Sequence, residues 1–342
     1  MGIFLASAAL AFVLTLAVRS AAIKFKILDY PDNDRKRHTS PVPLWGGLAI
    51  FLAFWAMVVW LIFCTNIEHK HLSDASLAGL FLGSGLLVII GLIDDKRRLS
   101  PIFRLGATAV AAFCVIAGGT ELTAITNPFG GYIPLDMWHV GDLLVLANAL
   151  IFFWILGMTY TVKILDGLDG LVNGVVMIGA LMIHFLTASG QFYQADVSAI
   201  SLILAGVCLG SLILNFYPAK IFLGEAGGLF LGFVLGALAI VAGGKIATAL
   251  LVLAVPILDL ARVIYLRFKI GQPVFSGDRR HLHFKLLDLG LGHRQTVLIF
   301  YAIALAFGLT TLFLHSWGKL IILALLCVGM IVFGVWLARK KI

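Results

Sequence analysis

A chain of 342 residues that is 61% hydrophobic and only 12% charged, with a net charge of +8, does not have the composition of a soluble domain. Apolar runs of about 17 to 25 residues recur along it, each long enough to cross a hydrocarbon core of roughly 30 Å. Backbone polar groups cannot stay unpaired in lipid, which excludes an open sheet and leaves helices.

In chain order the predicted spans cover residues 2–18, 44–64, 77–93, 103–119, 142–162, 171–189, 196–214, 227–243, 246–264, 295–314 and 319–337. The fold expected is therefore an all-α polytopic membrane protein of about eleven transmembrane helices, one integral-membrane domain over 1–342. The opening stretch "MGIFLASAALAFVLTLAVRS" has no basic n-region and no A-x-A site near its end, so it is expected to be a retained span. With the N-terminus outside, 22 of the 25 Lys and Arg fall in loops on one side, and only Lys70, Lys245 and Lys319 on the other. That split predicts a cytoplasmic C-terminus and a basic inner face suited to lipid headgroups and phosphates, with no need for nucleic acid. The four cysteines are scattered singly through apolar runs, as buried free thiols would be.

The polar segments follow the same order. The third span ends in "IDDKRR", where Asp94 and Asp95 adjoin Lys96, Arg97 and Arg98; a charge-balanced loop competes with a functional site there. Outside, 120–141 reads as a small hairpin turning on "NPFGG", and the outer acids Glu68, Asp74, Glu121, Asp136, Asp142 and Asp196 show no partner pattern. At the inner ends lie Asp94, Asp95, Asp166, Asp169, Glu225 and Asp259, and ionisable groups clustered at membrane depth point to function. In "ILDGLDGLVNG", Asp166 and Asp169 share one face of a turn, and Gly167 and Gly170 leave room for a close neighbour. Helix capping competes with metal binding there, and a hard cation such as Mg²⁺ with a phosphate-bearing substrate suits such carboxylates.

In "NFYPAKIFLGEAGGLFLG", Glu225 precedes Gly227 and Gly228, so amides at a helix start could face an anion, or the glycines could simply pack helices closely. Phe222 could stack on a planar ring. Finally, the cytoplasmic loop 265–294 carries Asp278, Arg279, Arg280, His281, His283 and Lys285, a set that binds phosphates and moves protons near neutral pH. A headgroup-binding loop competes with that reading. Zinc lacks a supporting Cys or third His.

Taken together, "RKRHTSPVPLWGG", "GLIDDKRRLS", "ILDGLDGLVNG", "NFYPAKIFLGE" and "DRRHLHFKLLDLGLGHRQ" resemble, in order, the motifs of the polyprenyl-phosphate N-acetylhexosamine-1-phosphate transferases, over residues 28–300. The branch most similar is the undecaprenyl-phosphate α-N-acetylglucosaminyl 1-phosphate transferases. The resemblance implies transfer of an N-acetylhexosamine 1-phosphate from a UDP-sugar to undecaprenyl phosphate, with release of UMP, at the cytoplasmic face of a bacterial inner membrane. The product starts a lipid-linked cell-surface glycan. Implied partners are undecaprenyl phosphate, a UDP-N-acetylhexosamine, membrane lipids and, for self-association, a homodimer; the implied cofactor is Mg²⁺, or Mn²⁺ in its place.

By the same resemblance Asp94, Asp95, Asp166, Asp169 and His281 are catalytic, with Glu225, Asp94 and Asp95 at the metal. Phe222 stacks on uracil. Arg279 and His283 hold the diphosphate or sugar, and substrate binding extends to His38, Lys163 and Asn215. The chain departs from the family pattern at Glu225, where Asp is usual, at Gly228, where Ser is usual, at Tyr160 and Lys163, where Asn is usual, and at Phe284 of the histidine motif. Lys163 is expected to pair with Glu225 or Asp166 when no metal is bound. Two other readings stay in view: a weak or inactive paralogue that binds lipid phosphate or nucleotide sugar, and a secondary transporter, against which stand acids at one interface and no broken helices in matched halves.

Overall fold

A computed structural model describes the chain except for residues 32–39, 66, 68–69, 128–130, 136, 138, 141–142, 189, 191–192, 244–245, 273–279, 315 and 340–342. The described residues are predominantly helical. The helices are α1 (Gly2–Lys24), α2 (Gly46–Cys64), α3 (Asp74–Arg97), α4 (Pro101–Ala117), α5 (Val145–Ile164), α6 (Leu171–Thr187), α7 (Ala195–Asn215), α8 (Gly224–Val241), α9 (Ile246–Val252), α10 (Ala254–Lys269), α11 (Leu282–Asp288), α12 (His293–Phe313) and α13 (Ser316–Arg339). Among the described residues strands are confined to three short antiparallel pairs. Of these, β1 (Leu28–Asp29) joins β2 (Val42–Pro43), while β3 (Ala124–Thr126) joins β4 (Tyr132–Pro134) in the 120–141 segment.

Every predicted span overlaps a helix, but the helices differ in reach. Among the described residues seven are long and apolar enough to cross a membrane, and eight if α9 and α10 count as one broken span. Helices α4 and α6 have 17 residues each, about 26 Å at 1.5 Å per residue, short of a full hydrocarbon core. The chain is thus a polytopic all-α membrane protein.

The span predicted at 246–264 is not one helix. It breaks at Leu253, and α9 and α10 meet at 76°. Pro256 explains the position: it has no N–H to give the preceding turn and its ring crowds the carbonyl four residues back, so regular helix cannot run through. This is the one bent pair among the described residues, so the expectation of no broken helices in matched halves is unaffected.

The buried axis is α8, which packs on α2, α3, α5 and α6 and buries Phe230 and Phe233 completely. Between helices in lipid there is little hydrophobic drive, so backbones approach through small residues. Gly47 lies against Gly227, and Gly91 against Ala226, with no room for a Cβ at either glycine. Close packing is therefore what Gly227 does. Large apolar side chains such as Phe63, Phe103, Phe113 and Phe153 point outward, as a lipid-facing surface allows.

Two expectations change at the bundle's edges. All four cysteines are free, but only Cys208 is buried; Cys64 is exposed at the end of α2. Asp196 is not a solitary outer acid. It is fully buried at the start of α7, accepts the N–H groups of His71, Leu72 and Val197, and pairs with the His71 ring at 3.2 Å.

Candidate active site

The sequence motifs that carry polar chemistry meet at one end of the bundle. The C-terminal end of α3 supplies Asp94 and Asp95, the start of α4 supplies Arg104, and the α5–α6 turn supplies Lys163, Asp166 and Asp169. The start of α8 supplies Glu225, while α10 and α11 supply Asp259, His281 and His283.

Direct contacts tie these segments together. The Glu225 N–H donates to Asp95 Oδ1 at 2.9 Å, so the first turn of α8 does meet an anion, and it is the protein's own. Gly224 stands there with φ +70, and a Cβ would collide with the Asp95 carboxylate. The Ala219 N–H donates to Asp169 Oδ2 at 3.0 Å, locking the Asp-Gly loop to the α7–α8 connection. Phe222 is held by its backbone, its N–H donating to the Pro43 carbonyl and its own carbonyl accepting from Gly46.

Asn215 is the hub behind this loop. Its Oδ1 accepts from the Gly170 N–H and from Asn173, its Nδ2 donates to the Ile221 carbonyl, and it is buried. Predicted to bind substrate, it instead has its amide engaged with protein, and it positions two loops. The histidines differ as well. His283 packs so closely on Gly167 that a Cβ there would lie 2.5 Å from its Nε2. Burial, and then the neighbouring His281 ring, push the His283 pKa down to about 3, so its ring is neutral at physiological pH and is no phosphate-binding cation. His281 lies beside it with parallel rings 5.7 Å apart. Arg279 and His38 fall outside the described residues.

Charge is arranged unevenly across the acids. Asp94 is committed on both oxygens, Oδ1 to the Leu99 N–H and Oδ2 to Arg104 at 3.2 Å. Glu225 Oε1 takes Arg104 at 3.1 Å and Lys163 Nζ at 2.5 Å, so the expected Lys163–Glu225 pair forms. Lys163 also lies 5.2 Å from the Tyr160 ring centroid, within cation–π range. By contrast, Asp95 Oδ2 is buried without a hydrogen-bond partner. Among the described residues the Asp166 carboxyl has no hydrogen-bond or ion-pair partner. The protein around Asp166, then Glu225 and Asp169, push its pKa up to about 7.

Those commitments test the fit of a divalent cation. The donor set is hard oxygen, as Mg²⁺ requires, and it includes the unpartnered Oδ2 of Asp95 and the carboxyl of Asp166. No group of three His, Cys, Asp or Glu donors comes within metal-binding reach among the described residues. The arrangement fits an ion with few protein ligands that completes its shell with phosphate and water. Of the three predicted metal ligands, Asp95 keeps a free oxygen, whereas Asp94 and Glu225 Oε1 are held by cations.

Comparison with known proteins places this geometry. The profile described as glycosyl transferase family 4 matches residues 77–243. A Bacillus subtilis protein named as a probable undecaprenyl-phosphate N-acetylglucosaminyl 1-phosphate transferase is 31% identical over 336 residues, 96% of this chain and 89% of the relative. The chain belongs to glycosyl transferase family 4. A decaprenyl-phosphate N-acetylglucosaminephosphotransferase of Mycolicibacterium smegmatis is 32% identical over 87% of this chain and 77% of its own length. An undecaprenyl-phosphate alpha-N-acetylglucosaminyl 1-phosphate transferase of Yersinia pestis is 31% identical over 98% of this chain and 90% of its own length.

Sequence reasoning missed three residues. Arg104 is a lone base in the first turn of an apolar helix, and that isolation was the available signal. Asp259 was noted as an inner acid but given no partner, and Arg262, one turn later, was counted only as loop charge.

Proposed function

We propose that this protein transfers N-acetylglucosamine 1-phosphate from UDP-N-acetylglucosamine to undecaprenyl phosphate, releasing UMP. The observation that carries the proposal is the meeting of Asp95 and Asp166, each with uncommitted oxygen, beside Arg104 and Lys163 at one end of a membrane bundle. The names of the full-length relatives support the same chemistry.

In this reaction an oxygen of the lipid phosphate attacks the sugar-bearing phosphorus of the donor. The bond from that phosphorus to the bridging oxygen breaks, and the oxygen leaves with UMP. Such transfer is mainly positioning and charge neutralisation. Arg104 and Lys163 offset the phosphate charge, and Phe222 would stack on uracil. Asp95 and Asp166 would hold Mg²⁺ or Mn²⁺, which supplies Lewis-acid neutralisation of the phosphate oxygens when bound. Asp94 and Asp169 brace the site through Arg104 and Ala219. A second reading, a weak or inactive paralogue, gains from the Lys163–Glu225 pair, which sets an ammonium where a metal is wanted. Membranes carrying the purified protein, given UDP-N-acetylglucosamine, undecaprenyl phosphate and Mg²⁺, are expected to release UMP in proportion to lipid product. No UMP under any donor or metal favours the second reading.

The topology proposed has the N-terminus outside, eleven crossings, and the site facing the cytoplasm of a bacterial inner membrane. Single cysteines introduced at 66–74 or 120–140 are expected to react with an impermeant reagent added from outside, and those at 31–38 or 276–290 are not. Outside labelling at 276–290 sinks the proposed orientation.

A further inference from the structure

Asp259 lies at the inner end of the bundle and is 4% exposed, yet it is fully occupied. Its Oδ2 accepts from the Leu282 N–H at 2.9 Å and faces His281 Nδ1 at 2.9 Å. Its Oδ1 accepts from Arg262 Nη2 at 2.7 Å, and the same Nη2 reaches the Arg280 carbonyl at 2.5 Å. The carboxylate therefore grips the histidine segment at the His281 ring and the Leu282 backbone, while Arg262 holds the Arg280 backbone on the other side.

A carboxylate can only accept, so the His281 atom facing it must carry the proton. That settles the ring as the Nδ1–H form and leaves Nε2 as the atom with a free lone pair. No described group hydrogen-bonds that Nε2, and unlike His283 Nε2 it is not sealed from solvent. The two rings lie parallel, and His283 is seated on Gly167, so the His281 ring stands one ring away from the loop that carries Asp166.

We propose that Asp259 is a positioning residue that holds His281 in the Nδ1–H form and aims Nε2 at the diphosphate of the nucleotide-sugar donor. The ring's second proton, when present, then lies on Nε2 and is given to a phosphate oxygen as a hydrogen bond, with the Asp259 carboxylate balancing the imidazolium behind it. Arg262 braces the carboxylate and the Arg280 backbone. The inference rests on the transferase reading given above for its substrate, but its geometry does not.

Selective ¹⁵N-histidine labelling of the full chain in nanodiscs tests it, with the His281 signals assigned by their loss in His281→Gln. At alkaline pH the parent is expected to show His281 as the Nδ1–H tautomer, and an Nε2–H tautomer in the parent overturns the proposal outright. Asp259→Ala is expected to release the ring to the Nε2–H form or to exchange, with kcat for UMP release falling about 10²-fold and KM changing less. Asp259→Glu is expected to restore part of both signals. Arg262→Gln is expected to lower thermal stability while the tautomer stays as in the parent. An Asp259→Ala protein that loses activity with an unchanged tautomer also overturns it, because the residue then only holds the fold. If Asp259→Ala does not fold, the parent tautomer and Asp259→Asn decide. The Asn keeps an oxygen toward Nδ1 and is expected to preserve the tautomer, and an Nε2–H ring in it overturns the proposal. A parent that shows the Nδ1–H tautomer but releases no UMP defeats the transferase reading and leaves the positioning contact standing.

Discussion

Asp95→Asn and Asp166→Asn are each expected to cut UMP release by at least about 10²-fold, the scale of a lost electrostatic group in catalysis. Both carboxyls keep oxygen atoms that no protein donor satisfies, although Asp94, Asp166 and Glu225 all act electrostatically on Asp95. A buried unpaired carboxylate oxygen such as Asp95 Oδ2 is costly, and a fold that retains one beside further acids does so for a ligand that arrives with positive charge. Asn at either place keeps the shape and removes the charge, so stability should hold while turnover falls. Asp94→Asn and Asp169→Asn are expected to do less, since they act through Arg104 and through the Ala219 N–H. At the other end, Asp74→Asn is expected to match the parent. Asp196→Asn is expected to lower thermal stability without a specific kinetic effect, because it serves three backbone N–H groups. Steady-state rates with unfolding curves in detergent distinguish the sets. Equal tolerance of Asp95→Asn and Asp74→Asn would falsify the site.

The second large effect is on metal affinity. Lys163 Nζ lies 2.5 Å from Glu225 Oε1, and Gly228 lets the Lys163 backbone approach α8, with a Cβ there 3.2 Å from Lys163 Cα. A divalent ion at the acidic cluster therefore meets an ammonium already in place and must work against it. Glu225 is also one methylene longer than Asp, and Mg²⁺ tolerates little departure from octahedral geometry at about 2.0–2.1 Å. Lys163→Asn with Glu225→Asp is expected to tighten Mn²⁺ binding, read by electron paramagnetic resonance, by about tenfold or more, equivalent to about 1.4 kcal/mol. The Mg²⁺ concentration for half-maximal UMP release should fall in step. Each single change should do less than half of this on a logarithmic scale, because groups in contact couple. An unchanged Mn²⁺ affinity in the double variant means that Lys163 and Glu225 do not govern the ion.

The class of the protein was legible without any structure, because hydropathy is a local property. Segments rich enough in Leu, Val, Ile and Phe must be helices in lipid, and each of the eleven predicted spans overlaps one. The acids that matter were also legible. "IDDKRR" and "ILDGLDGLVNG" stand out in a chain with only 17 acidic residues, and two unusual residues in neighbouring motifs pointed Lys163 to Glu225 or Asp166, between which the structure chooses Glu225. What the sequence could not carry was the fate of individual oxygen atoms. Arg104 reaches Glu225 across 121 positions, and Asp259 meets His281 across 22, through helix rotations and crossings that no local pattern encodes. The same holds for Asn215, whose amide is turned inward by the packing of α6 on α7, and for His283, neutral because burial and the adjacent His281 ring disfavour its charge. The break at Leu253 had its cause in the sequence, at Pro256, but its 76° angle is visible only in the structure. Residue type and hydropathy fix which segments enter the membrane; which lone pair is left for a substrate depends on contacts between segments far apart in the chain, and those form only when the helices pack.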